Sequence, residues 1–372
     1  MADHGNADKR TKNNNNGKGV REIRGHKKGV MCVCVTPDGR HVISGSEDKT
    51  IRITRIDDGR LVHEIKGHTD PVTSVRVTPD GRHVVSGSAD STIRITRFDD
   101  GKLVREIKGH SETVMSVCVT PDGKHVVSGS SDNTIRITRF DDGKLVREIK
   151  GHVETVESFC VTPDGQHMVS GSSDNIIRIT RIEDGELVRE IKVCSVGITV
   201  PDWIDTVCMS PDDQIVVSGF CDGIIRVHRF KDGELFHEIR GNTDWVNSVH
   251  VTPDGKHVVS GADDNTIRIT RIQDGKLIDE IKGHTCSVCC VSVTRDGKHV
   301  VSGSMDTTIR ITPNPVYLRV LRFWHKVFGC WVLNKPLSVL NKTPLLDSTG
   351  CFFYKNPGAF NVVGSRLLSF LV

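Results

Sequence analysis

The 372 residues, 26% of them charged and with Val and Ile abundant, have the composition of an ordinary soluble globular chain. The formal charge of +3 is uneven: seven Lys or Arg and one Asp from Pro313 onward give that end +6 and leave −3 for residues 1–312. A mildly acidic body gives no support to nucleic-acid binding through bulk charge.

In chain order, residues 1–18 are polar, include the Asn13–Asn16 run, and are expected to form a disordered N-terminal arm. The next stretch, Gly19 to His26, reads GVREIRGH and matches a later LVREIKGH, although no strands precede it. Gly67 to Lys108 reads GHTDPVTSVRVTPDGRHVVSGSADSTIRITRFDDGKLVREIK and recurs 42 residues on from Gly109-His110, then from Gly151-His152. Its four short runs rich in Val, Ile and Thr predict four strands. Thr78-Pro79-Asp80-Gly81 and Asp99-Asp100-Gly101 supply the turns of an antiparallel meander. A sheet of about 40 residues cannot bury both faces alone, so copies must stack, and radial closure protects every face.

Gly67-His68, Ser86-Gly87-Ser88-x-Asp90 and Thr92-Ile93-Arg94-Ile95, at this spacing, resemble the WD-repeat (WD40) family over residues 20–312. The Trp-Asp pair of that family is replaced at Thr96-Arg97, and likewise at Thr54-Arg55, Thr138-Arg139, Thr180-Arg181, His228-Arg229, Thr270-Arg271 and Thr312-Pro313. The resemblance implies an all-β fold over residues 19–312: a seven-bladed β-propeller of four-stranded antiparallel sheets. The seventh copy stops after its third strand, so Val20–Arg24 is expected to pair with Ile309–Thr312 and close the ring. The fifth copy has six extra residues, VCSVGI or a neighbouring choice, between Lys192 and Trp203, expected to decorate the variable rim. Residues 313–372 form a basic and apolar tail without the repeat. Arg319, Arg322 and Lys326 share one helical face, with Val320, Phe323, Trp324, Val327 and Trp331 elsewhere, a membrane-surface or partner-helix pattern. A helix folded back on the propeller is a second reading. A poorly ordered extension, arising by gene rearrangement or a misplaced reading-frame boundary, is preferred.

Each repeat contains the residue types of a hydrolase triad: His68, Ser86 and Asp90; His110, Ser128 and Asp132; His152, Ser170 and Asp174; His284, Ser302 and Asp306. An enzyme has little use for so many copies, and the resemblance implies a structural hydrogen-bond network instead. Thr96 and its equivalents are expected to offer a hydroxyl in place of the missing indole N–H. His41, His83, His125, His167, His257 and His299 open successive second strands and are part of the repeat. Arg52, Arg94 and their equivalents, with Arg55 and Arg97, are expected to pair with Asp57, Asp58, Asp99 and Asp100 rather than to form a phosphate ring. Twelve Cys lack the spacings of a disulfide framework, four of them (Cys34, Cys118, Cys160, Cys208) at one equivalent strand position. Cys286-x-x-Cys289-Cys290 is half a zinc pattern, but residues three apart on a strand are about 10 Å apart, and no metal or cofactor is expected. With no signal peptide in the first nineteen residues, the expected location is the cytoplasm, or the nucleus.

The copies differ mainly after Gly-His and in the second-to-third turn, two places expected on one rim around the channel mouth. There Glu112, Glu154, Glu157, Asp202, Asp205 and Asp244, with Asp70 and Asp263, outnumber Lys27, Lys28 and Lys49. Trp203 and Trp245 on adjacent blades offer aromatic anchors, unless each packs on its own blade. The expected function is a noncatalytic, monomeric protein-interaction scaffold that binds Lys- or Arg-containing segments. The alternatives are a substrate-recognition subunit of a ubiquitin ligase and a membrane-tethered adaptor using the tail. An enzyme acting at the channel mouth would need a nonrepeated polar cluster with shifted pKa values, and none is visible in the sequence.

Overall fold

The computed structural model describes residues 19–193 and 203–319. The arm over residues 1–18, the inserted residues of the fifth copy after Val193, Asp202 and the amphipathic tail pattern beyond Arg319 lie outside the described residues.

Among the described residues, twenty-eight strands form seven four-stranded antiparallel sheets, the blades of a β-propeller. Blade 2 shows the pattern: Val72–Val77, His83–Ser88, Ile93–Arg97 and Leu103–Ile107 follow one another as a meander. First strands of neighbouring blades adjoin around the channel, and the fourth lies outermost, where Leu103 is 51% exposed. Pro and Gly set the turns where the sequence places them, with φ of 74° at Gly81 and 68° at Gly101. The second-to-third turn also needs a left-handed residue, which Ser91, Asn133, Asn175 and Asn265 supply without glycine.

Blades stack through apolar clusters drawn from two neighbours. Val85, Ile93, Ile95 and Ile107 of blade 2, for example, pack on Val114, Val117 and Val126 of blade 3. The approach is close enough to require glycine in the second strand: a Cβ on Gly87 would lie 2.7 Å from Val114 Cγ1. Hydroxyls add polar ties across the same interfaces, as where Ser74 Oγ accepts from Val117 N at 3.1 Å and Ser248 Oγ from Val291 N at 3.1 Å.

The position of the absent Trp is filled by Thr54, Thr96, Thr138, Thr180 and Thr270, all buried. Between blades 2 and 3 a narrow cleft of about 40 Å³ reaches Thr138, bounded by Ile107, His110 and Ser128. Contacts on the opposite rim hold neighbouring blades instead. His41 meets Phe98 edge-on with ring centroids 5.3 Å apart, as His83 does Phe140, and Arg105 donates to the Asp142 carbonyl at 2.9 Å.

The ring closes through the orphan strand. Arg21–Arg24 pairs antiparallel with Thr308–Pro313, Ile23 opposite Ile309 and Glu22 opposite Arg310, and the Arg310–Glu22 ion pair measures 2.8 Å. Ile23 is buried in the cluster that joins blades 7 and 1. The last strand runs one residue past Thr312. Beyond it Asn314 donates its N–H to the Lys298 carbonyl at 2.7 Å, and Val316 packs on the blade 6–7 cluster. The compact unit containing the ring extends to Leu318. Among the described residues no helix is long and apolar enough to cross a membrane.

These contacts predict two losses of stability, read by urea unfolding. Ile23→Ala should cost about 2–5 kcal/mol, and Gly303→Ala, which would press a Cβ to 2.6 Å from Val30 Cγ1, about 1–3 kcal/mol. Leu103→Ala on the exposed outer strand should change stability by about 0.5 kcal/mol or less.

Candidate functional site

The Ser, His and Asp of each repeat meet. In blade 2, His68 Nδ1 lies 2.8 Å from Asp90 Oδ2 and Nε2 lies 2.8 Å from Ser86 Oγ. His110, His152 and His284 repeat this with Ser128 and Asp132, Ser170 and Asp174, and Ser302 and Asp306, and His26 does so with Ser44 and Asp48. Each of these Ser side chains is buried between strands, where no substrate carbonyl can approach its Oγ. Asp90 also accepts from Thr69 N at 3.0 Å, tying the rim loop to the tight turn. The hydroxyl that joins the network differs from the one expected: Thr92 donates to Asp90 Oδ1 at 2.6 Å, whereas Thr96 takes no part. Thr92 sits in the turn beside the carboxylate, while Thr96 lies four residues further along the third strand.

The central Arg column also differs from expectation. Arg94 pairs with Glu106 on the outer strand at 2.7 Å, and Arg136 with Glu148 at 2.9 Å, because those residues face each other in register. The Asp pairs bind the other column, as in Arg97–Asp100 at 3.1 Å. In blade 6, where Asn242 replaces His, Arg268 turns inward to Asp264 at 2.5 Å while keeping Glu280 at 2.8 Å. Arg226 does the same in blade 5, reaching Asp222 at 3.0 Å. The buried Asp thus has a cationic or imidazole partner in all seven blades.

The rim carries a different kind of site. The inner strand of every blade has a bulge at its second residue, which re-aims that side chain. Glu157 and Asp205 occupy the bulges of blades 4 and 5, and Asn247 that of blade 6, where it donates to Asp263 Oδ1 at 2.6 Å. Burial, then the charges of Glu157 and Asp263, raise the Asp205 carboxyl to about 7, and its Oδ2 is buried without a hydrogen-bond partner. Burial also raises Glu157, against a 2.7 Å hydrogen bond from Ser173. This is the nonrepeated polar cluster with shifted carboxyls that the sequence did not disclose. Alternation alone does not indicate which residue a bulge turns toward the channel.

Trp203 and Trp245 stand beside it. Rather than each packing only on its own blade, they meet edge-to-face with centroids 6.4 Å apart and remain 41% and 44% exposed. Glu112, Glu154 and Asp244 are exposed on three separate rim loops and are not drawn into the cluster. Cys286 is exposed, whereas Cys290 is buried at the seam with its Sγ 3.9 Å from the Val30 carbonyl. Among the described residues no group of His, Cys, Asp or Glu is placed to hold a metal ion.

A closed ring of repeated sheets with a varied rim around its channel defines a propeller of the protein-interaction class. The model of the WD domain, G-beta repeat, matches residues 17–54, 59–96, 101–138, 143–180, 194–229, 233–270 and 275–312, so the chain belongs to the WD40 family. Each match joins the outer strand of one blade to the first three of the next. The chain is also similar to the nuclear distribution protein PAC1 of Candida dubliniensis, 52% identical over 40 residues, which is 11% of this chain and 8% of that protein.

The buried networks predict acid sensitivity. Burial pushes His26, His68 and His110 below the ordinary 6.5, against the pull of their Asp partners. Such groups bind protons more readily when unfolded, so their stabilisation is present above pH 6.5 and is lost as pH falls below it. Burial would raise Asp48, Asp90 and Asp132, but hydrogen bonds from Thr50, Thr92 and Thr134 and from the His residues hold them at about 2. Their contribution is lost between the ordinary value of 3.8 and about 2. Urea unfolding should therefore show stability falling from about pH 7 to 5 and again below about pH 4.

Proposed function

We propose that this WD40 scaffold binds a Lys- or Arg-containing protein segment at the channel mouth, between the Trp203–Trp245 pair and the Glu157–Asp205–Asp263 cluster. The observation that carries the reading is Asp205, a carboxyl raised by burial and by two neighbouring carboxylates, with a buried oxygen that lacks a partner. A cation brought by a ligand relieves that repulsion, and the exposed indoles add cation–π and apolar contact.

Titrating the full chain with an Arg- and Lys-rich peptide by calorimetry, a readout that survives loss of the indoles, tests this. Asp205 is mostly protonated at about pH 6 and mostly ionised at about pH 8, so affinity should rise up to about tenfold across that range. Asp205→Asn should flatten the profile, and replacing both Trp203 and Trp245 by Ala should weaken binding about tenfold or more. Equal affinity for an acidic peptide, or unchanged affinity in both variants, overturns the proposal.

A further inference from the structure

Deeper in the channel the seven inner strands present a second level of side chains. All pair with their second strands in one register, so Arg76 opposite Val85, His250 opposite Val259 and Ser292 opposite Val301 stand at one height. Cys34, Cys118, Cys160 and Cys208 occupy the other four places of this belt. Each of the seven comes from a different blade, so the belt encircles the axis.

Arg76 is unlike the paired arginines of the third strands. Its Nη1 donates to the Val75 carbonyl at 2.9 Å, and among the described residues it has no carboxylate partner. It stands at one height with Cys34, Cys118, Cys160, Cys208 and His250, as the charged member of the belt. The thiols provide no counter-charge, because burial pushes all four upward and keeps them protonated. Burial and Arg76 hold His250 at about 4, so it is neutral and carries one N–H to donate. The acidic cluster at the mouth does not supply the missing charge: the groups that act on Asp205 are Glu157 and Asp263. A half-buried guanidinium without a carboxylate partner is open to an anionic ligand, and its planar fork matches an oxyanion.

We propose that the belt binds a small oxyanion, with Arg76 pairing its charge and His250 and Ser292 donating hydrogen bonds to it. The four thiols, each partly exposed, form a weakly polar wall to the site. This site is independent of the peptide site at the mouth, and an ion lodged here would sit below a bound segment.

Inorganic phosphate is the probe. The full chain is titrated with it by calorimetry at constant ionic strength, and thermal unfolding is followed in parallel. One saturable site is expected, with a rise in the unfolding temperature on adding phosphate. Arg76→Gln should weaken binding about tenfold or more and abolish that rise. Without phosphate it should unfold at or above the wild-type temperature, since it removes an uncompensated charge. Arg76→Lys, which keeps the charge but not the fork, should fall between the two. Replacing Trp203 and Trp245 by Ala should leave phosphate binding unchanged, so the two sites can fail separately. Absence of a saturable signal in the wild type, or equal affinity in Arg76→Gln, overturns the proposal.

Discussion

The structure depends on the close passage of each blade's second strand over the first strand of the next. Glycine at that point, Gly45, Gly87, Gly129 and their equivalents, lets a Val or Ile of the neighbour lie where a side chain would otherwise stand. The same contact recurs between Gly303 and Val30, where the last sheet meets the first. A single sheet has no partner for this surface, so the stacking contact and the closed ring are one constraint.

The polar network is secondary to that packing and more adaptable. Five blades satisfy the buried Asp with His, while Arg226 and Arg268 turn inward to do so in the other two. The Arg is already present in every blade, held by an outer-strand Glu beside Gly-His. Where the His is absent, that Arg reaches the Asp while keeping its Glu. This explains how Asn242 is accommodated in an otherwise regular blade.

Most of the architecture was legible because it is local and repeated. The turns at Gly81 and Gly101, the four runs per unit, and the pairing of Ile23 with Ile309 follow from short patterns. The His–Ser–Asp positions could be read from their spacing. The groupings across blades could not. Glu157, Asp205 and Asp263 lie in three successive blades and converge only because bulges redirect the first two. The four Cys at one strand position were visible, yet Arg76, His250 and Ser292 in the same column acquire meaning only when seven strands stand side by side.

The seam has a mechanical consequence. Arg21 lies opposite Ile311, so the incoming and outgoing chain leave the closing pair at the same end. Tension applied to the two termini would load its hydrogen bonds one after another, as in opening a zipper, and not all together in shear. A ring packed around its whole circumference is therefore weakest to a pull at this one latch.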